Sequence, residues 1–165
     1  EMLGADFPVE ECRARMRELY YAEIAKNGIP VKPGLLELVD FLKAKSIGYA
    51  VATSTARDIT LRKLEITGLT PHFDTIVAGD EVINGKPHPE IFLKAASLLG
   101  AAPETVVVIE DSVNGIRAAH AAKMIPIMVP DLIPPDDEIQ SLAYAVADSL
   151  YECRALISAL LRERI

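Results

Sequence analysis

Two adjacent carboxylates, Glu110 and Asp111, follow the apolar run Val106-Val107-Val108-Ile109 and lead into the small polar turn Ser112-Val113-Asn114-Gly115. An acid pair with no His or Cys beside it suits a hard divalent cation such as Mg²⁺, which prefers oxygen ligands and keeps several of its waters. A second apolar run, Tyr49 to Ala52, ends in Thr53-Ser54-Thr55. Those residues offer hydroxyls and backbone N–H groups at the start of the next helix, a ready anion site. Between the two lies Asn84-Gly85-Lys86-Pro87-His88-Pro89. Lys86, stiffened by its prolines, adds a point positive charge facing the same anion. Together these residues suit phosphate handled with Mg²⁺.

Each residue also has a purely structural reading. Asp111 or Ser112 can cap a helix, and a Thr-Ser-Thr turn is ordinary capping chemistry. Most lysines are solvated surface. His88 reads as a loop residue, His72 and His120 as structural, and Asp136-Asp137-Glu138 as a helix start on a solvated face. Arg13, Arg15 and Arg17 fall on more than one face of a helix and read as surface. What lifts Thr53, Lys86 and the acid pair above these readings is their joint order at the ends of apolar runs.

The elements that must position them follow from periodicity. After Asp6-Phe7-Pro8, apolar residues recur at helical spacing from Val9 to Ile24, predicting a long amphipathic helix that stops at Asn27-Gly28. Pro33-Gly34 opens a second helix through about Lys45, ended near Gly48. Strands are predicted at Tyr49–Ala52, Thr75–Ala78, Val106–Ile109, Ile125–Val129 and Tyr144–Ala147. Helices are predicted at Ala56–Thr67, Pro89–Leu99, Ser112–Ala122, Asp136–Leu142 and Ser149–Arg162, with Gly68 and Gly100 as C-caps. Alternating helices and wholly apolar strands predict an α/β fold, a parallel sheet covered on both faces. In such sheets ligands bind beyond the carboxyl ends of the strands, where the candidate residues stand.

Composition sets the outer bounds. The chain has 165 residues, half of them hydrophobic, and a net charge of −7. That fits one soluble domain, and without clustered Lys and Arg it argues against a nucleic-acid partner. The apolar runs are strand-sized, too short to span a bilayer, and no signal peptide is visible in the opening residues. A cytoplasmic protein with no membrane partner is expected. The two cysteines, Cys12 and Cys153, lack metal-ligand spacing and are expected to be buried thiols in a reducing compartment.

The segments VATST, GKPHPEIF and VVVIEDSVNGIRAA resemble motifs II, III and IV of the haloacid dehalogenase superfamily, in the flavour of its β-phosphoglucomutase-like phosphatases and phosphomutases. Similarity runs from about Val31 to Ala147. The resemblance implies a Rossmann-like doubly wound parallel sheet with a remnant of a helical cap, residues 1–30 being the cap's last helix and 31–165 the core. It implies that Thr53 hydrogen-bonds the transferring phosphoryl group, helped by the backbone at Ser54. Lys86 would neutralise the nucleophile and the phosphate, and Glu110 with Asp111 would hold Mg²⁺ directly or through water. The substrate would be a small phosphorylated metabolite, and the intact enzyme a monomer.

One departure is plain. The superfamily's nucleophile sits in an Asp-x-Asp-Gly motif at the end of the first strand, and that pattern does not occur in this sequence. In the family that strand is central, between those ending at Thr53 and Glu110, so its absence would leave two unpaired strand edges mid-sheet. The expectation is therefore an inactive chain whose nucleophile strand is elsewhere, completed by an N-terminal fragment or a swapped partner. The rival readings are a non-catalytic relative that binds a ligand or partner, and a phosphoacceptor signalling domain. The second ranks lower because Lys86 lies between the hydroxyls and the acids. A dinucleotide site is disfavoured, since no GxGxxG follows any strand.

Overall fold

The computed structural model describes residues 7–163, apart from the side chains of Arg13 and Glu163. Its contacts divide the chain into two compact units, Glu1–Pro30 and Val31–Ile165.

The described part of the first unit is helix α1, Val9–Asn27. Glu10 and Glu11 in its first turn and Lys26 in its last complement the helix dipole. Gly28, at φ 73°, closes the helix by donating its N–H to the Ile24 carbonyl at 2.8 Å. The start expected from Asp6 lies outside the described residues, and Pro8 occupies the N-cap with no side-chain cap. The expected amphipathic face is not covered: Met16 and Leu19 are exposed, and only Cys12 and Ile24 are even half-buried. Cys12 therefore departs from the expected buried thiol, being only half-buried, whereas Cys153 is fully buried.

The second unit alternates helices and strands in the order α2 (Leu35–Ala44), β1 (Val51–Ala52), α3 (Arg57–Ile66), β2 (Ile76–Val77), α4 (Glu90–Leu98), β3 (Val107–Glu110), α5 (Val113–Ala121), β4 (Ile125–Met128), α6 (Asp137–Leu142), β5 (Ala145–Val146) and α7 (Leu150–Glu163). All strand pairs are parallel, and they form two sheets, β1-β2 and β3-β4-β5. The fold is α/β, but β1 and β3 are not hydrogen-bonded to each other.

The strands are apolar throughout because successive side chains enter different cores. Val106 and Val108 pack with Ile91, Phe92, Ala118 and Ala119, the face covered by α4 and α5. Val107 and Ile109 pack with Leu38, Leu150, Cys153 and Ile157, the face covered by α2 and α7. Burial of Cys153 pushes its thiol pKa up to about 11, with the Glu152 charge adding to the effect.

Helix ends show why the boundaries fall where they do. Gly68 and Gly100 take left-handed conformations after α3 and α4, and in both places paired bonds reach back into the last turn, from Leu69 to Leu64 and from Ala101 to Ala96. After α2 the same bonding is built on Ser46 at φ 54°, two residues before the expected Gly48, and after α5 on Lys123 at φ 59°.

Candidate active site

The carboxyl ends of β1 and β3 meet at Lys86. Its ammonium donates to the Ala52 carbonyl at 3.2 Å and to the Glu110 carboxylate, and lies 4.7 Å above the Phe92 ring centroid. Both side chains of the Lys86–Glu110 pair are only 9% exposed. Lys86 thus bridges the two strand ends, reaching Ala52 across 34 residues of sequence and Glu110 across 24.

Glu90 holds the loop that delivers Lys86. Its carboxylate accepts from the backbone N–H of Ile83 at 2.8 Å and of Asn84 at 3.0 Å, and from the Asn84 side chain at 2.9 Å. These bonds, the Ile83 N–H foremost, hold its pKa below the usual carboxylate value. The Lys86–Pro87 peptide is cis. Glu81 does similar work at the end of β2: it accepts from the Ala78 N–H and from Arg57, and is likewise depressed, chiefly by the Ala78 bond.

On the acid side, Glu110 also accepts from the Ser112 hydroxyl at 2.9 Å. Ser112 caps α5, its own hydroxyl accepting the Gly115 N–H at 3.0 Å. Of the two capping candidates, Ser112 is thus the cap, and Asp111 keeps an exposed carboxylate with no protein hydrogen bond given to it among the described residues. Gly115 has a packing reason: a Cβ there would run into the Glu110 carboxylate. Gly79 has another, since its Cβ would run into the Ser54 carbonyl.

Thr53 extends β1, its N–H donating to the Val77 carbonyl at 3.0 Å, and its hydroxyl accepts the Thr55 N–H at 3.1 Å. Ser54 follows, exposed. Thr53, Ser54, Lys86, Glu110 and Asp111 all line one cavity of about 820 Å³. Ser54, Lys86, Asp111 and Ser112 also line a smaller pocket of about 440 Å³ with Asn114 and Asp131. The five residues singled out in the sequence therefore converge. Lys86 is paired with Glu110 in place, a contact the sequence reading did not include. His72, His88 and His120 do not line these cavities, and Asp136 caps α6 by accepting the Ile139 N–H at 2.9 Å.

The donor set fits a hard cation. Lys86 balances one of the two carboxylates, leaving the site one negative charge, carried by exposed Asp111. The described residues contain no group of three or more His, Cys, Asp or Glu side chains that could hold a metal. Mg²⁺ does not require one, being commonly held by one or two carboxylates with water and phosphate oxygens completing the shell. Sequence reading passed over Glu90, Gly79 and Gly115 as functional positions. Glu90 lies inside the quoted GKPHPEIF and Gly115 closes the turn after the acid pair, whereas the approach of Gly79 to Ser54 is made only in the fold.

Comparison with known proteins agrees with this geometry. The family model for haloacid dehalogenase-like hydrolases matches residues 3–123. A phosphorylated carbohydrates phosphatase of Thermotoga maritima is 43% identical over 102 residues, covering 62% of this chain and 45% of its own length. CbbY of Rhodobacter sphaeroides, solved in complex with phosphate, superposes with a TM-score of 0.74 at 32% identity, covering 91% of this chain and 68% of that one. The β-phosphoglucomutase of Clostridium difficile superposes with a TM-score of 0.64 at 30% identity, covering 74% and 52%. The chain spans about half the length of the curated relatives it matches. Among the described residues no helix is long and apolar enough to cross a membrane. With three motifs converging on one cavity of a parallel α/β fold, and the family model matching most of its length, the chain belongs to the haloacid dehalogenase-like hydrolases.

Proposed function

We propose that this chain carries the phosphate- and metal-binding part of a Mg²⁺-dependent phosphatase or phosphomutase acting on small phosphorylated sugars. The observation that carries the reading is Lys86, whose ammonium joins the ends of β1 and β3 and so gathers two hydroxyls, one cation and two carboxylates on a single cavity. The relatives support it: one is a phosphatase of phosphorylated carbohydrates, one was solved with phosphate, and one is a β-phosphoglucomutase.

On this reading the Thr53 hydroxyl and the Ser54 backbone N–H bind phosphoryl oxygens. Lys86 shares its charge between Glu110 and the phosphoryl group, and the Glu90 clamp keeps it at that height. Asp111 and Glu110 would hold Mg²⁺ directly or through water, and the ion would supply charge neutralisation for the transferring group, as phosphoryl transfer requires. Ser112 and Gly115 keep Glu110 oriented. The nucleophilic aspartate and its acid-base partner come from outside this sequence, since it holds no Asp-x-Asp-Gly, and α1 belongs to a cap that selects the leaving group.

The test is p-nitrophenyl phosphate hydrolysis with and without Mg²⁺, run on this chain and on the full product of its gene. Turnover by the longer protein alone, and only with Mg²⁺, is the expected result. A folded longer protein that hydrolyses neither this compound nor a panel of sugar phosphates would replace the enzyme with a ligand-binding relative.

A further inference from the structure

Thr53, Thr55 and Arg57 are all tied to the segment in and just after β2. The Thr53 N–H donates to the Val77 carbonyl at 3.0 Å, and the Thr55 carbonyl accepts the Gly79 N–H at 2.9 Å. The third tie is made by a side chain: Asp80 Oδ1 accepts the Arg57 N–H at 3.0 Å. The turn is thus fastened on both sides of Ser54, whose own carbonyl packs against Gly79 with no room for a Cβ between them. Ser54 lines both cavities.

Asp80 does for α3 what the helix's own N-cap residue cannot. Ala56 holds the cap position with an extended backbone and no side-chain acceptor, and alanine is among the poorest residues there. The capping bond comes instead from 23 residues further along the chain. By contrast, α5 and α6 are capped by the residues at their own N-caps, Ser112 and Asp136. A cap supplied from outside ties the helix start, and the turn before it, to the place the cap comes from. That place is itself held from several directions. In the short turn Gly79–Glu81, the Glu81 carbonyl accepts from Lys94 of α4 at 2.8 Å. Its carboxylate accepts from the Ala78 N–H at 2.8 Å and from the Arg57 guanidinium at 3.1 Å, and Arg57 donates to the Ile76 carbonyl at 3.2 Å.

We propose that Asp80 is a positioning residue for phosphate: by capping α3 from the end of β2, it sets the direction in which the Thr53-Ser54-Thr55 turn presents its donors to the cavity. This rests on the reading of Thr53 and Ser54 as phosphate-binding residues. Asp80 lines neither cavity and acts through the Arg57 N–H. Its contribution is preorganisation, since a turn already held in place loses less freedom when an anion binds.

The test is calorimetric titration of inorganic phosphate, with Mg²⁺ present, into the whole native chain and into Asp80→Ala, Asp80→Asn and Asp136→Ala, with backbone amide exchange followed by NMR. Asp80→Ala should weaken phosphate binding roughly five- to tenfold, the size of one lost capping bond. Asp80→Asn keeps an oxygen acceptor and should stay within about twofold of the native chain. Asp136→Ala removes a cap of the same kind from α6, whose capping residue lines neither cavity, and should lower the urea midpoint without changing phosphate affinity. The Arg57 amide should exchange about tenfold faster in Asp80→Ala alone.

Native phosphate affinity in Asp80→Ala would overturn the proposal. So would an equal loss in Asp80→Asn or in Asp136→Ala, or an Arg57 amide indifferent to Asp80→Ala. A folded native chain that binds no phosphate would remove the phosphate reading itself and this proposal with it, whereas a native chain that binds and an Asp80→Ala chain that binds equally would remove this proposal alone.

Discussion

Replacing Lys86 by Met keeps the apolar stem over Phe92 and removes only the charge and its bonds. The Glu110 carboxylate, 9% exposed, then loses its partner. Stranding a buried charge costs about 3–5 kcal/mol, and the low end applies because Glu110 keeps the Ser112 hydroxyl and the cavity mouth admits water. The Ala52 carbonyl loses its donor as well, about 1 kcal/mol. The variant should therefore be destabilised by about 4 kcal/mol. Glu110→Gln alone leaves a neutral acceptor for the ammonium and should cost about 2 kcal/mol. With both substitutions no charge is stranded, so the double variant should lie at least about 2 kcal/mol above the sum of the single effects. The assay is urea unfolding at pH 7 followed by far-ultraviolet circular dichroism, since the chain contains no tryptophan. Single effects below about 1 kcal/mol that add within about 0.5 kcal/mol would show that the pair does not tie the strand ends together.

The two packed glycines should behave differently on substitution by alanine. At Gly115 the Cβ meets the flexible end of Glu110, and the helix gains propensity. Stability should change by less than about 1 kcal/mol while phosphate and Mg²⁺ binding fall with the displaced carboxylate, and unchanged binding would refute the contact. At Gly79 the Cβ meets the Ser54 backbone, which cannot swing aside, so unfolding should show a loss of roughly 2–3 kcal/mol. Glu81, Glu90 and Glu138 all have folded-state pKa values below the ordinary carboxylate value, Glu138 mainly through its bonds from Arg117. Their stabilisation is present above the unfolded value and is lost as pH falls through the folded ones, so urea midpoints should drop below about pH 4.5. Glu90→Gln should flatten that drop, and an unchanged profile would contradict the clamp. Iodoacetamide at pH 7 should label half-exposed Cys12 and spare Cys153, whose thiol is buried and neutral; labelling of Cys153 in the native chain would show that the α7 face opens.

Much of this architecture could be read from the sequence because each strand is apolar on both faces and each helix is punctuated. The five strands fall where they were expected, β3 at its full length one residue later and the others shorter, with only two paired residues each in β1, β2 and β5. Helix ends carried by Gly68 and Gly100 were legible, whereas those carried by Ser46 and Lys123 were not, because neither residue type announces a left-handed conformation. Strand-end logic brought Thr53, Lys86 and the acid pair to one cavity. It could not show that Lys86 and Glu110 neutralise each other, a contact made only once the Lys86 loop is laid against the carboxyl ends of β1 and β3. The apolar spacing of α1 predicted a buried stripe, yet Met16 and Leu19 are exposed, for periodicity reports a surface to bury without reporting what buries it.

Calorimetric titration of inorganic phosphate into the chain, with and without Mg²⁺, tests the site most directly. The geometry predicts binding that needs Mg²⁺ and weakens more than tenfold in both Lys86→Met and Asp111→Asn. Phosphate binding indifferent to Mg²⁺ and to both substitutions, or none in a folded chain, would contradict it.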